Sequence, residues 1–369
     1  MEGFLLNAYI IPTLRGIRIF AVLVAFSVIL AMVLSLGKAE ARIHDIPVSS
    51  EKFHAKNYVE ALYTDDKIES VSTDEDVLRI QKEIVDANPN VLWFEDGEHD
   101  FFIRPVMVVN YKNKTQKAQN LLDGYITISN GMIDLCNGKN CNKSENIYNN
   151  SKIAFILAHE MGHWHNVEPA SKTPAQSRDY ENKADSVALK FVGNTPFHGY
   201  GGALMNFSKK AVKAVKTKEN ASHDSDAVRF KLVKEATEKA SKNRVKVNAK
   251  GNCTVDGKGI CAPAIGDEVS SVDRTLYVAG QIASAIENGL WKTENVRIVE
   301  QDSIFHNGSK NLAMIVVDGD SFKLIDKFNA TAEHLDKVKN ALWIEQFFGF
   351  NKSTDEDRYF QNLTNMVKN

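Results

Sequence analysis

The chain has 369 residues, of which 45 are basic and 47 acidic, and its formal net charge is −2. Charges of both signs are mixed along the chain, which excludes the concentrated basic footprint of a nucleic-acid-binding protein, so we expect no nucleic-acid partner. The apolar and charged fractions, 43% and 25%, are those of a folded globular protein. The length allows two domains, or one large domain with an appendage.

Residues 1–41 resemble an export signal. Arg15 and Arg18 precede an uncharged run over residues 19–37, and a small-x-small pair follows that ends at Ala41. A basic start, an apolar centre and small residues at the end are typical of a signal peptide. The run is also close to the roughly 20 residues that cross a bilayer as a helix, so a retained membrane anchor is the alternative. In both cases the positive-inside rule predicts that the rest of the chain is exported, to the periplasm, the cell exterior or the outer face of a membrane.

The first folded elements are predicted to be a helix and two strands. Residues 74–87 have helical spacing of apolar residues, with Thr73 as the expected N-cap. Residues 101–109 are rich in strand formers, and residues 124–129 (GYITIS) alternate as a strand does.

Two further helices are predicted to follow these strands. The first covers residues 151–165 with Ser151 as its N-cap, and the second begins at Thr173 and Pro174 and ends at Gly193.

The first of these two helices contains the motif H-E-x-x-H at His159, Glu160 and His163. Four residues turn a helix by about 400°, so the two imidazoles share one face and both reach a single metal ion. Glu160 follows the first histidine directly, where a carboxylate can take a proton from a water molecule. We therefore predict one Zn²⁺ with His159 and His163 as ligands and Glu160 as the general base.

A catalytic zinc needs a third protein ligand, and the second helix offers Glu181 within ENKAD. Asp185 lies four residues later on the same helical face, where it can accept the outer N–H of a liganding imidazole. By itself ENKAD is typical of a solvated helix face. Its position after an H-E-x-x-H helix is what favours a metal-ligand role for Glu181. His165 departs from the face of His159 and His163, and we predict that it is incidental.

After the second helix, Gly199, Gly201 and Gly202 predict a break, followed by helices over residues 203–218 and 223–242. The composition then changes to glycine, cysteine and short polar residues, which predicts a domain junction. Beyond it the spacing predicts helices at both ends and three strands between them, over residues 272–288, 296–299, 312–317, 322–325 and 331–348.

The four cysteines form two local pairs, Cys136 with Cys141 and Cys253 with Cys261. Neither spacing is the C-x-x-C of a zinc ribbon. Export to an oxidising compartment favours disulfides over free thiols, and pairing within each short loop is the simplest of the three possible connectivities.

The zinc motifs resemble those of the gluzincin family that contains the HtpX-like and CAAX prenyl protease-like metallopeptidases. The segment NLLDGYITISNGMI is similar to the edge-strand segment of that family, with Asp123 in place of a usual glycine. The segment SHDSDAVRFKL is similar to a downstream His and Arg segment and aligns His223 and Arg229, with Asp224 where proline is usual. The resemblance covers roughly residues 70–245.

This resemblance implies hydrolysis of peptide bonds in protein or peptide substrates. It further implies that His223 or Arg229 stabilises the oxyanion as a catalytic residue; either residue could instead cap or pair within its helix, and Arg229 could order Asp185. The resemblance also implies that an extended substrate pairs with the edge strand, whose predicted residues are Gly124, Tyr125, Ile126, Thr127 and Ile128.

The predicted fold is α+β: a mostly helical zincin-type domain with a small edge-strand sheet, followed by a small α+β domain. The predicted boundaries are residues 1–41 for the signal, 42–246 for the metallopeptidase domain, 247–265 for the junction and 266–369 for the C-terminal domain. An exported metalloendopeptidase in envelope quality control is the leading hypothesis. A metal-binding chaperone-like protein or an adaptor that acts through residues 266–369 is the alternative.

Overall fold

The computed structural model divides the chain into two compact units, Met1–Glu51 and Lys52–Asn369. The described residues all lie in the second unit and are 55–94, 102–121, 124–137, 146–166, 173–193, 195–197, 199–212, 225–265, 269–302, 309–318, 321–331 and 355–367. The predicted signal at residues 1–41 and the predicted helix over residues 331–348 therefore fall outside the described residues, apart from residue 331. Export and membrane association stay predictions. In the described part of the chain, no helix is both long and apolar enough to cross a membrane.

The first part of the unit is a four-stranded sheet with two helices. In chain order these elements are α1 (Ala55–Thr64), β1 (Ile68–Ser72), α2 (Glu75–Asp86), β2 (Met107–Tyr111), β3 (Ala118–Asn120) and β4 (Ile126–Ser129). The sheet order is β1-β2-β4-β3, with β2 and β4 parallel and the other two pairs antiparallel. The helix predicted over residues 74–87 is present, but its N-cap is Asp74 and not Thr73. The Asp74 carboxylate accepts hydrogen bonds from the backbone N–H groups of Asp76 and Val77, as an N-cap does.

The centre of the unit consists of packed helices, namely α3 (Asn130–Asn137), α4 (Ile147–His165), α5 (Pro174–Gly193), α6 (Gly199–Val212), α7 (Asp226–Ala240) and α8 (Ser271–Glu287). Helix α5 has the predicted bounds. Helix α4 begins earlier than predicted, because Asn146 is the N-cap and accepts from Tyr148 and Asn149. The predicted cap, Ser151, lies inside the helix, where its hydroxyl donates to the Ile147 carbonyl.

The predicted break at Gly199–Gly202 is wrong, because these residues form the first turn of α6. A Cβ added to Gly280 on α8 would lie 2.3 Å from the Gly201 backbone nitrogen. The two backbones therefore cross in contact, and only glycine allows this approach. Gly201 and Gly280 lower helix propensity, but they allow α6 and α8 to pack this closely.

The remaining elements are three short strands, a three-stranded sheet and a final helix: β5 (Val245–Lys246), β6 (Cys253–Val255), β7 (Lys258–Ile260), β8 (Val296–Asp302), β9 (Ser309–Asp318), β10 (Ser321–Thr331) and α9 (Asp355–Val367). The predicted junction at residues 247–265 holds β6 and β7, which form a three-stranded sheet with the preceding β5. Its buried residues Val255 and Ile260 join the same hydrophobic core as residues from α2, α4, α8 and α9. Residues on both sides of the predicted boundary thus share one core within one compact unit.

The predicted disulfide between Cys253 and Cys261 is wrong, since both residues carry free thiols. Cys253 pairs with Ile260 across the β6–β7 ladder, and both side chains are buried. Cys261 is one residue further along and is exposed, because side chains alternate between faces in extended chain. Cys136 is buried and its predicted partner Cys141 lies outside the described residues, so that pairing stays a prediction.

A buried cluster of charges connects α4 to the last elements of the chain; we call it the Arg274 cluster. It consists of Arg274 on α8, Asp326 on β10, Glu356 on α9 and Tyr148 on α4. Arg274 donates from Nη2 to Asp326 (2.8 Å) and from Nη1 to Glu356 (2.6 Å), and the Tyr148 hydroxyl donates to Asp326 (2.6 Å). Arg274 and Asp326 are completely buried. The cluster holds the first turn of α4 against β10 and α9.

Candidate metal centre

Two helices of the core supply the three described side chains that converge at the predicted metal site. Gly162 on α4 faces Ala184 on α5, and a Cβ added to Gly162 would lie 2.9 Å from the Ala184 carbonyl oxygen. These two small residues let the helices approach closely. The approach brings His159 and His163 of α4 opposite Glu181 of α5.

The three predicted metal ligands point their donor atoms at one another. His159 Nε2 lies 3.1 Å from both His163 Nε2 and Glu181 Oε2, and His163 Nε2 lies 3.4 Å from Glu181 Oε1. The three donor atoms that the residues offer all lie within 4.8 Å of one another. Two imidazole nitrogens and one carboxylate oxygen around one point form a donor set that suits a divalent transition metal. The chemistry of these residues therefore fits a bound metal ion.

The outer nitrogen of His159 is fixed by Asp185. Its Nδ1 lies 2.9 Å from Asp185 Oδ1 and donates the hydrogen bond, which leaves Nε2 free to act as a ligand. Arg229 on α7 donates to the same carboxylate, from Nε to Oδ2 at 2.8 Å and from Nη2 to Oδ1 at 2.5 Å. Its guanidinium also lies 4.4 Å from the ring centre of Phe207.

This position decides between the two roles considered for Arg229. The guanidinium is 3.4 Å from His159 Nδ1, on the side of the imidazole that faces away from the ligand atoms. A group that stabilises an oxyanion would have to lie on the Nε2 side. Arg229 is thus an ordering partner of Asp185, and the prediction of a catalytic Arg229 is corrected.

The same contacts set the charges of the site. Burial alone would lower the pKa of His159, but the hydrogen bonds to Asp185 and Glu181 outweigh burial and raise it to about 10. Burial would raise the pKa of Asp185, but the hydrogen bonds from His159 and Arg229 outweigh burial and lower it to about 2. Asp185 therefore stays ionised, whereas His159 must release a proton before its Nε2 can bind a metal.

Glu160 is buried beside the histidines and is held by the sheet. Its Oε2 accepts a hydrogen bond of 2.8 Å from the backbone N–H of Asn120, the last residue of β3. Only 8% of Glu160 is exposed, so the contact is shielded from solvent. The carboxylate has a second oxygen that this bond does not use.

The predicted substrate-binding strand is not at the edge of the sheet. Strand β4 (Ile126–Ser129) lies between β2 and β3 and pairs with both, so neither of its sides can accept a further strand. Gly124 and Tyr125 precede it in the turn from β3. The edge strand beside α4 is β3 (Ala118–Asn120), and the prediction for residues 124–128 is corrected accordingly.

His165, which we predicted to be incidental, does not join the ligand group. His165 is exposed and its ring packs edge-on against Phe191, at 5.5 Å between centres. His223 lies outside the described residues, and its role stays a prediction.

Comparison with known families gives one match: the model of Peptidase family M48 matches residues 105–175. This segment is similar to the corresponding part of M48 metallopeptidases. It runs from β2 through α4 into the first residues of α5, and it contains His159, Glu160 and His163. The match supports the suspected family, metallopeptidases of the HtpX-like and CAAX protease-like type, and the mostly helical α+β fold agrees with it. The comparisons with curated proteins and with solved structures found no match.

The M48 segment ends before Glu181 and Asp185, so these two residues are assigned from the geometry of α5. Asn120 lies within the segment but was not predicted to contact the site. The residues of β3 (AQN) include no β-branched or aromatic side chain, so strand propensity gave no indication of it. The usable indication was Gly124 at the start of GYITIS, since a turn glycine is expected to have a strand on both sides.

Proposed function

We propose that this chain is a zinc-dependent endopeptidase that cleaves peptide bonds in exported or envelope proteins. The observation that carries the proposal is the convergence of His159, His163 and Glu181 donor atoms with the Glu160 carboxylate alongside. The donor set of two imidazoles and one carboxylate is the one that catalytic zinc sites use in other metallopeptidases. When bound, zinc supplies Lewis-acid chemistry by polarising the scissile carbonyl and activating a water molecule.

The side chains of the site divide the remaining work. Glu160 takes the proton of the attacking water as general base and delivers it to the leaving nitrogen. Asp185, ordered by Arg229, holds His159 in the tautomer whose Nε2 faces the ligand group. The low exposure of Glu160 and of Glu181, 8% and 7%, keeps bulk water away from the proton transfer.

We further propose that substrate binds as an extended strand along β3. Lys117 accepts a hydrogen bond from Ser129, and Leu121 donates one to Tyr125, so these residues face β4. Backbone groups alternate in direction along a strand, and those of Ala118 and Asn120 therefore face away from β4. A peptide that pairs with this edge lies beside Glu160.

Export is a separate part of the proposal and rests on the sequence of residues 1–41. A mature protein that begins at Arg42 would support a cleaved signal peptide, and an intact Met1 on membrane-bound protein would support an anchor. Catalytically active protein recovered only from the cytoplasm would contradict export, and it would leave the proposed hydrolysis intact.

Substitution of Glu160 by glutamine tests the hydrolytic part of the proposal. Glu160→Gln keeps the shape and the metal ligands but removes the base, so we expect hydrolysis of casein to fall by at least about 10²-fold with metal content unchanged. Glu235→Gln on α7 is the matched control, because Glu235 is an exposed glutamate in a surface ion pair with Lys231. Full hydrolysis by Glu160→Gln would contradict the mechanism, and product peptides cut only at the termini would contradict an endopeptidase.

A further inference from the structure

The hydrogen bond between β3 and Glu160 joins two parts of the site, the edge strand and the helix that carries the H-E-x-x-H motif. The donor is the backbone N–H of Asn120, which points away from β4 and towards α4. The acceptor is the carboxylate of Glu160, one residue after the ligand His159. A sheet edge is thus bonded directly to the side chain that we propose as the base.

A bond of this kind limits the motion of the carboxylate. The Glu160 side chain has three rotatable bonds, and nothing in the H-E-x-x-H spacing fixes its outer torsions. A hydrogen bond from a neutral N–H to an ionised carboxylate is stronger than one between neutral groups, and burial strengthens it further. At 2.8 Å the Asn120 amide therefore holds Oε2 in place and leaves Oε1 for the water molecule.

We propose that the backbone N–H of Asn120 is a positioning group for Glu160, so that the edge strand that receives substrate also orients the base. The inference rests on the proposed function, because it assumes that Glu160 is the base. It assigns Asn120 a role that acts through Glu160 and not through contact with the reacting atoms. One consequence is that β3 carries two separable functions, substrate pairing at Ala118 and orientation of the base at Asn120.

Proline substitutions test the proposal, because proline removes an N–H and is tolerated at edge positions whose N–H faces away from the ladder. Asn120→Pro should lower kcat by about 10- to 100-fold, with KM and metal content little changed, since misplaced catalytic groups cost about this much. Ala118→Pro is the matched control on the same edge, and it should mainly raise KM because it removes a group that pairs with substrate. Asn120→Ala keeps the N–H and should lower kcat far less than Asn120→Pro does.

The kinetic result has two outcomes that would overturn the proposal. One is an equal loss of kcat in Asn120→Ala and Asn120→Pro, which would assign the effect to the side chain. The other is an Asn120→Pro variant with the kcat of Ala118→Pro, which would reduce the bond to a structural contact.

Nuclear magnetic resonance tests the contact without any proline and without activity. Labelling with ¹³C-carbonyl glutamine and ¹⁵N-asparagine selects only Gln-Asn pairs, of which the chain has two, at residues 119–120 and 361–362. In the full chain, Glu160→Ala should shift the Asn120 amide signal and speed its exchange with solvent. Asn362, exposed on α9, is the internal control and should not change. An Asn120 amide signal whose shift and solvent exchange are unchanged in Glu160→Ala would overturn the proposal.

The two arms separate failure of this inference from failure of the proposed function. If the wild-type chain hydrolyses no peptide while the Asn120 signal depends on Glu160, the proposed hydrolysis is wrong and the contact is supported. If Glu160→Gln abolishes hydrolysis while Asn120→Pro keeps full kcat, the proposed function is supported and the positioning role is wrong.

Discussion

Two buried clusters that contain charged side chains both involve helix α4, and they differ in how their charges are balanced. The Arg274 cluster contacts the first turn of α4 through Tyr148, and the ligand group of His159, His163 and Glu181 lies near its other end. In the Arg274 cluster one guanidinium serves two carboxylates, Asp326 through Nε and Nη2 and Glu356 through Nη1. Its balancing cation is therefore part of the chain.

The ligand group is arranged differently. The nearby guanidinium of Arg229 is bound to Asp185, on the far side of His159. What remains are two imidazole nitrogens and a carboxylate that point at one another. Lone pairs arranged in this way are stabilised by a proton or by a metal cation. The comparison teaches that buried charges alone do not indicate a metal site. Donor atoms that converge on one point do indicate such a site.

The largest effect should come from breaking the Arg274 cluster. Asp326→Ala leaves a buried guanidinium without its main partner, and we expect a loss of about 3–5 kcal/mol in the free energy of unfolding, measured with urea. Asp256→Ala is the control, because its ion pair with Arg244 is at the surface and should contribute at most about 1 kcal/mol. Equal losses in the two variants would mean that the Arg274 cluster does not hold α4 in place.

A smaller effect should follow from loosening the ligand group. Asp185→Asn removes the charge that orients His159, and we expect the affinity for zinc to fall by about 10- to 100-fold, measured by competition with a chelator. Asp179→Asn is the control on the same helix, since Asp179 is exposed and pairs with Lys183 at the surface. Unchanged affinity in Asp185→Asn would show that His159 is oriented without this carboxylate.

The smallest effect concerns pH. The pKa of His159 is raised to about 10 in the fold, above its ordinary value of 6.5. Protonated His159 therefore stabilises the metal-free protein below pH 6.5, and this contribution is lost as the pH rises from 6.5 through 10. We expect the Tm of metal-free protein to decline over that window, and His159→Gln to remove this part of the decline. The same decline in both proteins would contradict stabilisation by protonated His159. The Arg274 cluster does not produce a decline in this pH window, because the pKa of its Tyr148 is raised well above 10.

Much of the site could be predicted from the sequence because its chemistry is local. His159, Glu160 and His163 lie within five residues on one helix, and helical geometry alone places both imidazoles on one face. Glu181 and Asp185 likewise share a face of α5. The bounds of α5 were predicted as well, since Pro174 and Gly193 are strong markers of helix ends.

What the sequence did not show depends on contacts between distant segments. The bond from Asn120 to Glu160 needs the sheet order, which places β3 and not β4 at the edge. The hydrogen bonds of the Arg274 cluster join residues that lie up to 178 positions apart, and no spacing rule connects Arg274 with Asp326. Gly201 was interpreted as a helix breaker because its contact with Gly280 exists only in the packed fold. The free thiol of Cys261 follows from its position one residue past the Ile260 pair.

The metal content of the purified chain tests the central claim most directly. We predict about one zinc per wild-type chain by mass spectrometry of the metal, retained in Glu160→Gln and lost in both His163→Ala and Glu181→Ala. Glu235→Ala, an exposed glutamate on α7, should keep the metal and control for the loss of a carboxylate. A wild-type chain with no more zinc than the His163→Ala and Glu181→Ala variants would contradict the assignment of these residues as metal ligands.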